Sequence, residues 1–321
     1  MITQALILTA GLGTRLRPLT DVRAKPALPV AGEPMIRRII AWLVANGVRD
    51  CVLNLHHRPE TLTAVLGEGH DLGARVRYSW EQPRILGSAG GPRLARAMVG
   101  ADPFLIINGD TLTDLDLGPL CDAHASSGAL VTLALVPNRE FLRYGGVQLD
   151  ADGPSTRLGT GRVTGFVRRG PGAEGSYHYI GVQAVAGRVF DVVEPGDAAS
   201  SIGGIYDALI ASQPGSVRGV VSDAAFFDVG TPADYWRTSN AFAARAGATL
   251  SSPERGARID PSARVSHSIL WDDVEIEARA VISECIVTDK VRVPAGAIHH
   301  RAILVRGADG ETTATPLNLE P

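Results

Sequence analysis

The 321-residue chain is 45% hydrophobic, 20% charged and 5% aromatic, enough apolar material for one large core or two modest ones, which excludes disorder as its main state. Its 31 Lys and Arg stand against 34 Asp and Glu, a formal charge of −3, so no global field favours nucleic acid or an anionic membrane. The longest apolar run, Ala129 to Val136 interrupted by Thr132, is far short of the ~18–20 residues of a membrane span, and the N-terminus carries no basic region with a cleavage site, which predicts a cytoplasmic protein.

In chain order, Ala5 to Ala10 is an apolar run that stops at Gly11-Leu12-Gly13, the pattern of a buried strand feeding a loop. After Pro34, Ile36, Ile39, Ile40, Leu43 and Val44 fall on one helical face that ends at Gly47. Strand 51–55, helix 59–66, strand 76–80, helix 92–98 and strand 104–107 follow. Repeated β-α-β order predicts an α/β fold, a three-layer Rossmann-like domain with a mostly parallel mixed sheet, whose ligands bind at the carboxyl edge of the strands. From Tyr144 to Ala186 short β-like pieces alternate with Gly, Pro and Asp, reading as a β-rich insertion over that crevice. Helices over 204–212 and 232–244, with a strand at 224–229 between them, close a first domain at residues 1–246.

Residues 247–321 have a period of their own: Ile259 and Val265 are six apart, as are Leu270, Ile276 and Ile282, and Val281, Val287 and Val293. A six-residue period predicts a parallel β-helix; an ordinary sheet would give part of the same pattern. At roughly 18 residues per coil the segment makes only two or three coils, so it should pack on the first domain or on a second subunit. The three cysteines, Cys51, Cys121 and Cys285, are odd in number and widely spaced, as expected of reduced core thiols.

The chemistry concentrates in loops after strands. Gly11-Leu12-Gly13-Thr14-Arg15-Leu16-Arg17-Pro18-Leu19-Thr20, followed by Lys25-Pro26, has neither the third glycine of a dinucleotide fingerprint nor the Gly-Lys-Ser/Thr of a P-loop. A glycine-bearing loop with two cations, Arg15 and Lys25, nonetheless suits a polyphosphate; a tight turn with solvated cations is the alternative. Asp110 and Asp228 each end an apolar segment before a turn. Carboxylates so placed can hold a hard divalent cation, or cap a helix.

Taken together, these stretches resemble the sugar-1-phosphate nucleotidyltransferase family, whose signature Gly-x-Gly-Thr-Arg-Leu-x-Pro-Leu-Thr and Lys-Pro is matched at every fixed position. Leu86-Gly87-Ser88-Ala89-Gly90, Asn108-Gly109-Asp110, Tyr144-Gly145-Gly146-Val147 and Asp228-Val229-Gly230-Thr231 extend the likeness. The tail resembles the short left-handed β-helix of mannose-1-phosphate guanylyltransferases. The resemblance implies that a sugar 1-phosphate attacks the α-phosphorus of an NTP and releases pyrophosphate. It assigns Arg15 to the triphosphate, Lys25 to the reacting phosphates, and Asp110 and Asp228 to Mg²⁺. Ala10, Gly11, Gly13 and Thr14 would meet the nucleotide. Gln82, or failing that Glu81, would read the base with Gly87. Gly145, Gly146, Arg169 and Gly181 would meet the sugar phosphate.

Where the family has Glu-Lys-Pro, this chain has Arg168-Arg169-Gly170. Arg169 replaces a cation with a planar fork; Arg168 replaces an acid, which points either to a more acidic sugar or cyclitol phosphate or to a side chain in solvent. The pairs His56-His57 and His299-His300 are assigned no role. The expected reaction is guanylyl transfer to mannose 1-phosphate, with uridylyl or thymidylyl transfer to another hexose 1-phosphate as the nearest alternative and a silent NDP-sugar-binding homologue as a third. A homodimer is expected, without nucleic-acid or membrane partners.

Overall fold

The computed structural model describes residues 2–150, 159–247, 250 and 256–319. The chain forms two compact units: Met1–Gly11, Ile39–His57 and Leu66–Phe226 make the first, and Leu12–Arg38, Arg58–Val65 and Phe227–Pro321 the second.

Nine strands build the first unit: β1 (Gln4–Leu8), β2 (Asp50–Leu55), β3 (Arg75–Trp80), β4 (Phe104–Asn108), β5 (Val131–Pro137), β6 (Gly146–Leu149), β7 (Gly159–Val167), β8 (Tyr177–Val185) and β9 (Val217–Val221). Their order is β3-β2-β1-β4-β8-β5-β9-β7-β6. The β-α-β portion, β3-β2-β1-β4, is parallel throughout. Then β8 runs antiparallel to both β4 and β5, β9 is parallel to β5, and β7 is antiparallel to β9 and β6. The sheet is therefore mixed, parallel where crossover helices separate the strands and largely antiparallel where they do not.

Ala5, Leu6 and Ile7 of β1 are all fully buried, as a strand covered on both faces requires. On one face Leu6, Val52, Phe104, Ile106, Leu133 and Leu135 share a core with Ala89, Ala95 and Val99 of a helix over Gly87–Val99, and with Tyr206. On the other, Thr132 of β5 meets His124 of a helix over Leu117–Ser127 at 2.9 Å. Burial lowers the pKa of that histidine, favouring its neutral form. The three layers follow.

Helices are labelled α1 (Met35–Ala45), α2 (Pro59–Leu66), α3 (Gly87–Val99), α4 (Leu117–Ser127), α5 (Tyr206–Ser212) and α6 (Pro232–Ala246). Helix α3 begins five residues before the Pro92 start read from the sequence, because tertiary packing overrides the poor helix propensity of its Gly87-Ser88-Ala89-Gly90-Gly91 run. A Cβ on Gly90 would lie 2.2 Å from Asp197 O, and one on Gly91 2.4 Å from Glu81 Oε1. Helix α4 was not foreseen, although Asp116 caps it and Leu117, Leu120, Cys121 and His124 bury one face. Regular α5 starts at Tyr206 rather than Gly204, since Gly203 sits at φ 77 and Gly204 at φ −155 and ψ −109, neither of them helical. The strand expected over 224–229 contracts to Phe226–Phe227.

In the second unit the tail winds through three parallel ladders. Arg258 pairs with Glu275 and Glu275 with Arg292; Arg264 with Val281 and Val281 with Ile298; Ile269 with Ile286 and Ile286 with Ile303. Each step is 17 residues, one short of three hexapeptides. Left-handed backbone at His267, Asp273, Arg279, Glu284, Lys290, Gly296 and Arg301 marks the corners, so one side of each coil is a five-residue segment. That shift explains why Ile282 rather than Val281 fills the core beside Val287 and Val293. Thr312–Pro316 returns antiparallel along Ala302–Arg306, covering the free edge of one ladder.

All three cysteines are unpaired and buried. Burial pushes the Cys51 thiol up to about 12 and raises those of Cys121 and Cys285. Because the thiolate is the reactive form, a thiol reagent at pH 8 should find no accessible cysteine in the native protein and all three after denaturation. Rapid labelling of the native chain would contradict this burial.

Candidate active site

In the first unit the candidate residues sit just after β1, β3, β4 and β7, at the start of β6, and at Gly181 within β8. After β1, the Thr9 N–H donates to Asn54 Oδ1 at 2.6 Å and the Thr9 hydroxyl donates to Asn54 O, fixing the main chain that leads into buried Ala10 and exposed Gly11. Asn54 in turn donates through Nδ2 to Glu81 Oε1 at 2.7 Å, and the Leu86 N–H donates to Glu81 Oε2 at 2.6 Å. Glu81 is fully buried. It thus ties the loop after β1 to the segment after β3, and its carboxylate is already engaged by two donors.

Gln82 is exposed at that position, as is Gly87, whose φ of 76 and whose 2.7 Å clearance from Ala199 O to a Cβ leave no room for a side chain. Of the two side chains considered for base reading, Gln82 is the one directed outward. Removing the Glu81 carboxylate strands two buried donors at ~1–3 kcal/mol each. Glu81→Ala should therefore unfold several degrees earlier in calorimetry; a variant with wild-type melting would contradict the relay.

Asp110 lies in the turn after β4. The Gly109 N–H donates to Leu8 O at 2.9 Å, the Thr111 N–H to Asn108 O at 3.1 Å, and the Thr111 hydroxyl to Ile180 O at 2.8 Å. This pins the Asp110 turn between β1 and β8. Gly181 stands against it at φ 81, where a Cβ would be 2.3 Å from Thr111 Oγ1 and 2.7 Å from Asn108 Nδ2. The next helix, α4, is capped by Asp116, which accepts from the Gly118 N–H at 2.9 Å, so capping does not account for Asp110.

Gly145 and Gly146 lead into β6. A Cβ on Gly146 would meet Ser176 Oγ at 1.9 Å, and one on Gly145 would be 3.0 Å from Val167 O and 3.9 Å from Arg169 N. The structure brings Gly145 and Arg169 together, while both Arg168 and Arg169 are exposed. Beside them Tyr144, the first residue of its matched stretch, joins an aromatic group that sequence alone does not bring together: Tyr144 and His178 have ring centroids 4.4 Å apart, and His178 and Phe226 5.0 Å. Tyr179 was also missed. Its hydroxyl is buried without a hydrogen-bond partner among the described residues, and burial first, then Tyr206 and the Asp110 charge, push its phenol up.

The second unit carries the signature segment. Arg15 is exposed on a 3-10 turn, Thr14–Leu16, anchored by buried Leu16. Gly13 is at φ 60; a Cβ there would lie 2.7 Å from Thr20 Cγ2 and 3.5 Å from Lys25 Cβ, and the Thr20 hydroxyl donates to Gly13 O at 2.9 Å. The two halves of the signature are therefore in contact, with half-buried Lys25 beside the glycine loop. Asp228 precedes α6, whose cap is Thr231: the Asp234 N–H donates to Thr231 Oγ1 at 3.2 Å. The Thr238 hydroxyl holds Asp228 by its main-chain oxygen at 2.8 Å. Capping does not account for Asp228 either. Asp110 and Asp228 offer hard oxygen donors of the kind Mg²⁺ takes. Among the described residues no group of three His, Cys, Asp or Glu forms a preformed metal cage.

The histidine pairs have structural contacts. His56 Nδ1 lies 2.7 Å from Glu81 O, and His300 Nδ1 3.1 Å from Ser283 Oγ on the outside of the coil. No helix among the described residues is long and apolar enough to cross a membrane.

Comparison with known proteins adds sequence and fold relationships to this geometry. Residues 4–245 match the model of the nucleotidyl transferase family, and residues 243–308 match a GlmU-like C-terminal hexapeptide model. The chain is similar to mannose-1-phosphate guanylyltransferase of Mycobacterium tuberculosis, 29% identical over 304 residues, covering 87% of this chain and 82% of the relative. It is also similar to UTP–glucose-1-phosphate uridylyltransferase of Synechocystis, 26% identical over 293 residues, with 87% and 73% covered. Among solved structures, HddC of Yersinia pseudotuberculosis shares the fold at a TM-score of 0.63 and 23% identity, covering 75% of this chain and all of that one.

Proposed function

This chain belongs to the nucleotidyl transferase family, and we propose that within it the protein makes GDP-mannose from GTP and mannose 1-phosphate. Sugar-1-phosphate nucleotidyl transfer is the chemistry its relatives share. The choice of guanylyl over uridylyl rests on one observation: the likeness to the mycobacterial guanylyltransferase runs over 87% of this chain at 29% identity. Uridylyl transfer is the second reading, favoured by the Synechocystis relative, whose likeness also spans 87% of this chain.

A phosphate oxygen of the sugar 1-phosphate forms a bond to the α-phosphorus, the bond from that phosphorus to the α,β-bridging oxygen breaks, and pyrophosphate leaves with the electron pair. The nucleophile is already an anion, so the protein's task is to hold two repelling phosphate groups in line and to neutralise the leaving charge. Arg15 grips the triphosphate and Lys25 the reacting phosphates, each as a charge-assisted donor. Ala10, Gly11, Gly13 and Thr14 present main chain to the nucleotide, and Gln82 with Gly87 reads the base. Gly145, Gly146 and Gly181 admit the sugar close to the backbone, with Arg169 on its phosphate. Asp110 and Asp228 each supply a carboxylate for Mg²⁺, which when bound offsets phosphate charge.

Pyrophosphate release across GTP, UTP, dTTP, CTP and ATP against several sugar and cyclitol 1-phosphates tests this reading. GTP with mannose 1-phosphate should have the highest kcat/KM. A better UTP pair would transfer the assignment to the second reading. An acidic sugar phosphate ahead of mannose 1-phosphate would implicate Arg168 in selection, and silence across the grid with NDP-sugar binding retained would indicate a non-catalytic homologue.

A further inference from the structure

The signature segment and the β-helix belong to the same compact unit, and a buried ionic contact joins them. Arg23, two residues before Lys25, has a side chain only 10% exposed. Its Nε donates to Asp289 Oδ2 at 2.7 Å and its Nη2 to Asp289 Oδ1 at 2.6 Å, a bidentate fork; Nη2 also donates to Asp272 Oδ2 at 2.8 Å. Asp272 and Asp289 are 17 residues apart, so they occupy the same place on successive coils. The Asp272 N–H donates to Asp289 Oδ1 at 3.2 Å, locking the two coils in phase.

The contact extends through aromatic groups. The Arg23 guanidinium lies 5.3 Å from the centroid of Trp271, a fully buried ring whose Nε1–H donates to the Tyr235 hydroxyl at 2.9 Å. That hydroxyl donates to Pro29 O at 2.5 Å. The segment from Arg23 to Pro29, with Lys25 inside it, is therefore held at one end by two β-helix carboxylates and at the other by Tyr235 of α6, itself braced by the β-helix tryptophan. The Ala24 N–H donates to Thr61 Oγ1 at 3.0 Å between these points. A β-helix serving only as a spacer or a dimer surface has no need to bury an arginine of the signature segment.

We propose that the β-helix positions the phosphate-handling segment, and that Arg23, Asp272 and Asp289 are positioning residues for Lys25. The kinetic part of this inference rests on the nucleotidyl-transfer reading above; the structural part does not. Charge complementarity and fork geometry specify the clamp, since Lys in place of Arg23 offers one point charge where the site is shaped for a planar donor array.

Two measurements on the full chain test it: hydrogen exchange of peptides covering residues 13–30, with the β1 strand as internal reference, and steady-state kinetics. The variants are Arg23→Lys, Asp289→Asn, and the charge-neutral triple Arg23→Met, Asp272→Asn, Asp289→Asn, which leaves no unpaired buried charge and keeps the set informative if a single variant fails to fold. The triple variant should exchange about tenfold faster across residues 13–30 with β1 unchanged, and should lose ~10–100-fold in kcat with a smaller change in the KM of the sugar phosphate. Arg23→Lys should fall between wild type and triple. Unchanged exchange in a folded triple variant would overturn the clamp, and faster exchange with wild-type kcat would overturn its role in positioning Lys25. If the wild type turns over no NTP and sugar phosphate pair, the reaction assignment falls, and exchange alone decides whether the clamp exists.

Discussion

Asp228→Asn and Asp110→Asn should each lower kcat by ~10²–10³ while leaving the protein folded, because each removes a negative charge from a carboxylate proposed to hold Mg²⁺ at the site of developing phosphate charge. The structure makes the two effects separable. Thr231 caps α6 and Asp116 caps α4, so neither Asp228 nor Asp110 carries the cap whose loss costs ~1 kcal/mol. Asparagine preserves shape and most hydrogen-bonding capacity at both positions. Pyrophosphate release measured together with thermal unfolding should show a collapse of turnover with a melting temperature near that of wild type. Turnover within a few-fold of wild type at saturating Mg²⁺ would remove the carboxylate from the reaction, and a large drop in melting temperature would assign it to the scaffold instead.

Trp271→Ala should be the most damaging single change to the stability of the second unit. The ring is fully buried, and truncating such a side chain costs ~3–5 kcal/mol through lost transfer energy and the cavity left behind. The change also strips the Tyr235 hydroxyl of its donor and Arg23 of its aromatic face. The melting temperature should fall by about 10 °C. Trp271→Phe keeps most of the packing and loses the indole N–H, so it should recover more than half of that drop. Equal losses for Ala and Phe would show that the hydrogen bond to Tyr235, not the packing, dominates.

The parallel half of the sheet was legible because its strands are continuous apolar runs between helices of clear period; the expected helix over residues 59–66 is α2. The antiparallel half was legible only as a change of texture, since pairing partners such as Val185 with Phe104 are far apart in sequence and no local pattern encodes them. Helix α3 illustrates the opposite difficulty: its glycines disfavour a helix locally and are required by the close approach of Asp197 and Glu81. At the candidate site, Arg15, Lys25, Asp110 and Asp228 could be named from the signature stretches, and so could the alternative of helix capping for the two acids. The folded chain removes that alternative by placing the caps on Thr231 and Asp116. Glu81 shows the limit most directly, for an acid next to Gln82 in a loop gives no sign in sequence that its side chain turns inward to two donors. Arg23 is similar: its partners lie about 250 residues downstream.

The coil length has an implication for how the tail can change. Corners recur in steps of six, six and five, so an insertion or deletion keeps every ladder in phase only when it amounts to 17 residues. A duplicated block of that size, such as 275–291, lengthens the stack by one rung and adds another carboxylate in line with Asp272 and Asp289. A whole number of hexapeptides does not, since 18 residues displace the next corner by one position and turn each following core residue away from the axis. Lineages that grow or shorten this tail should therefore do so by seventeens, and gaps of other sizes should fall at the coil corners or beyond Arg306.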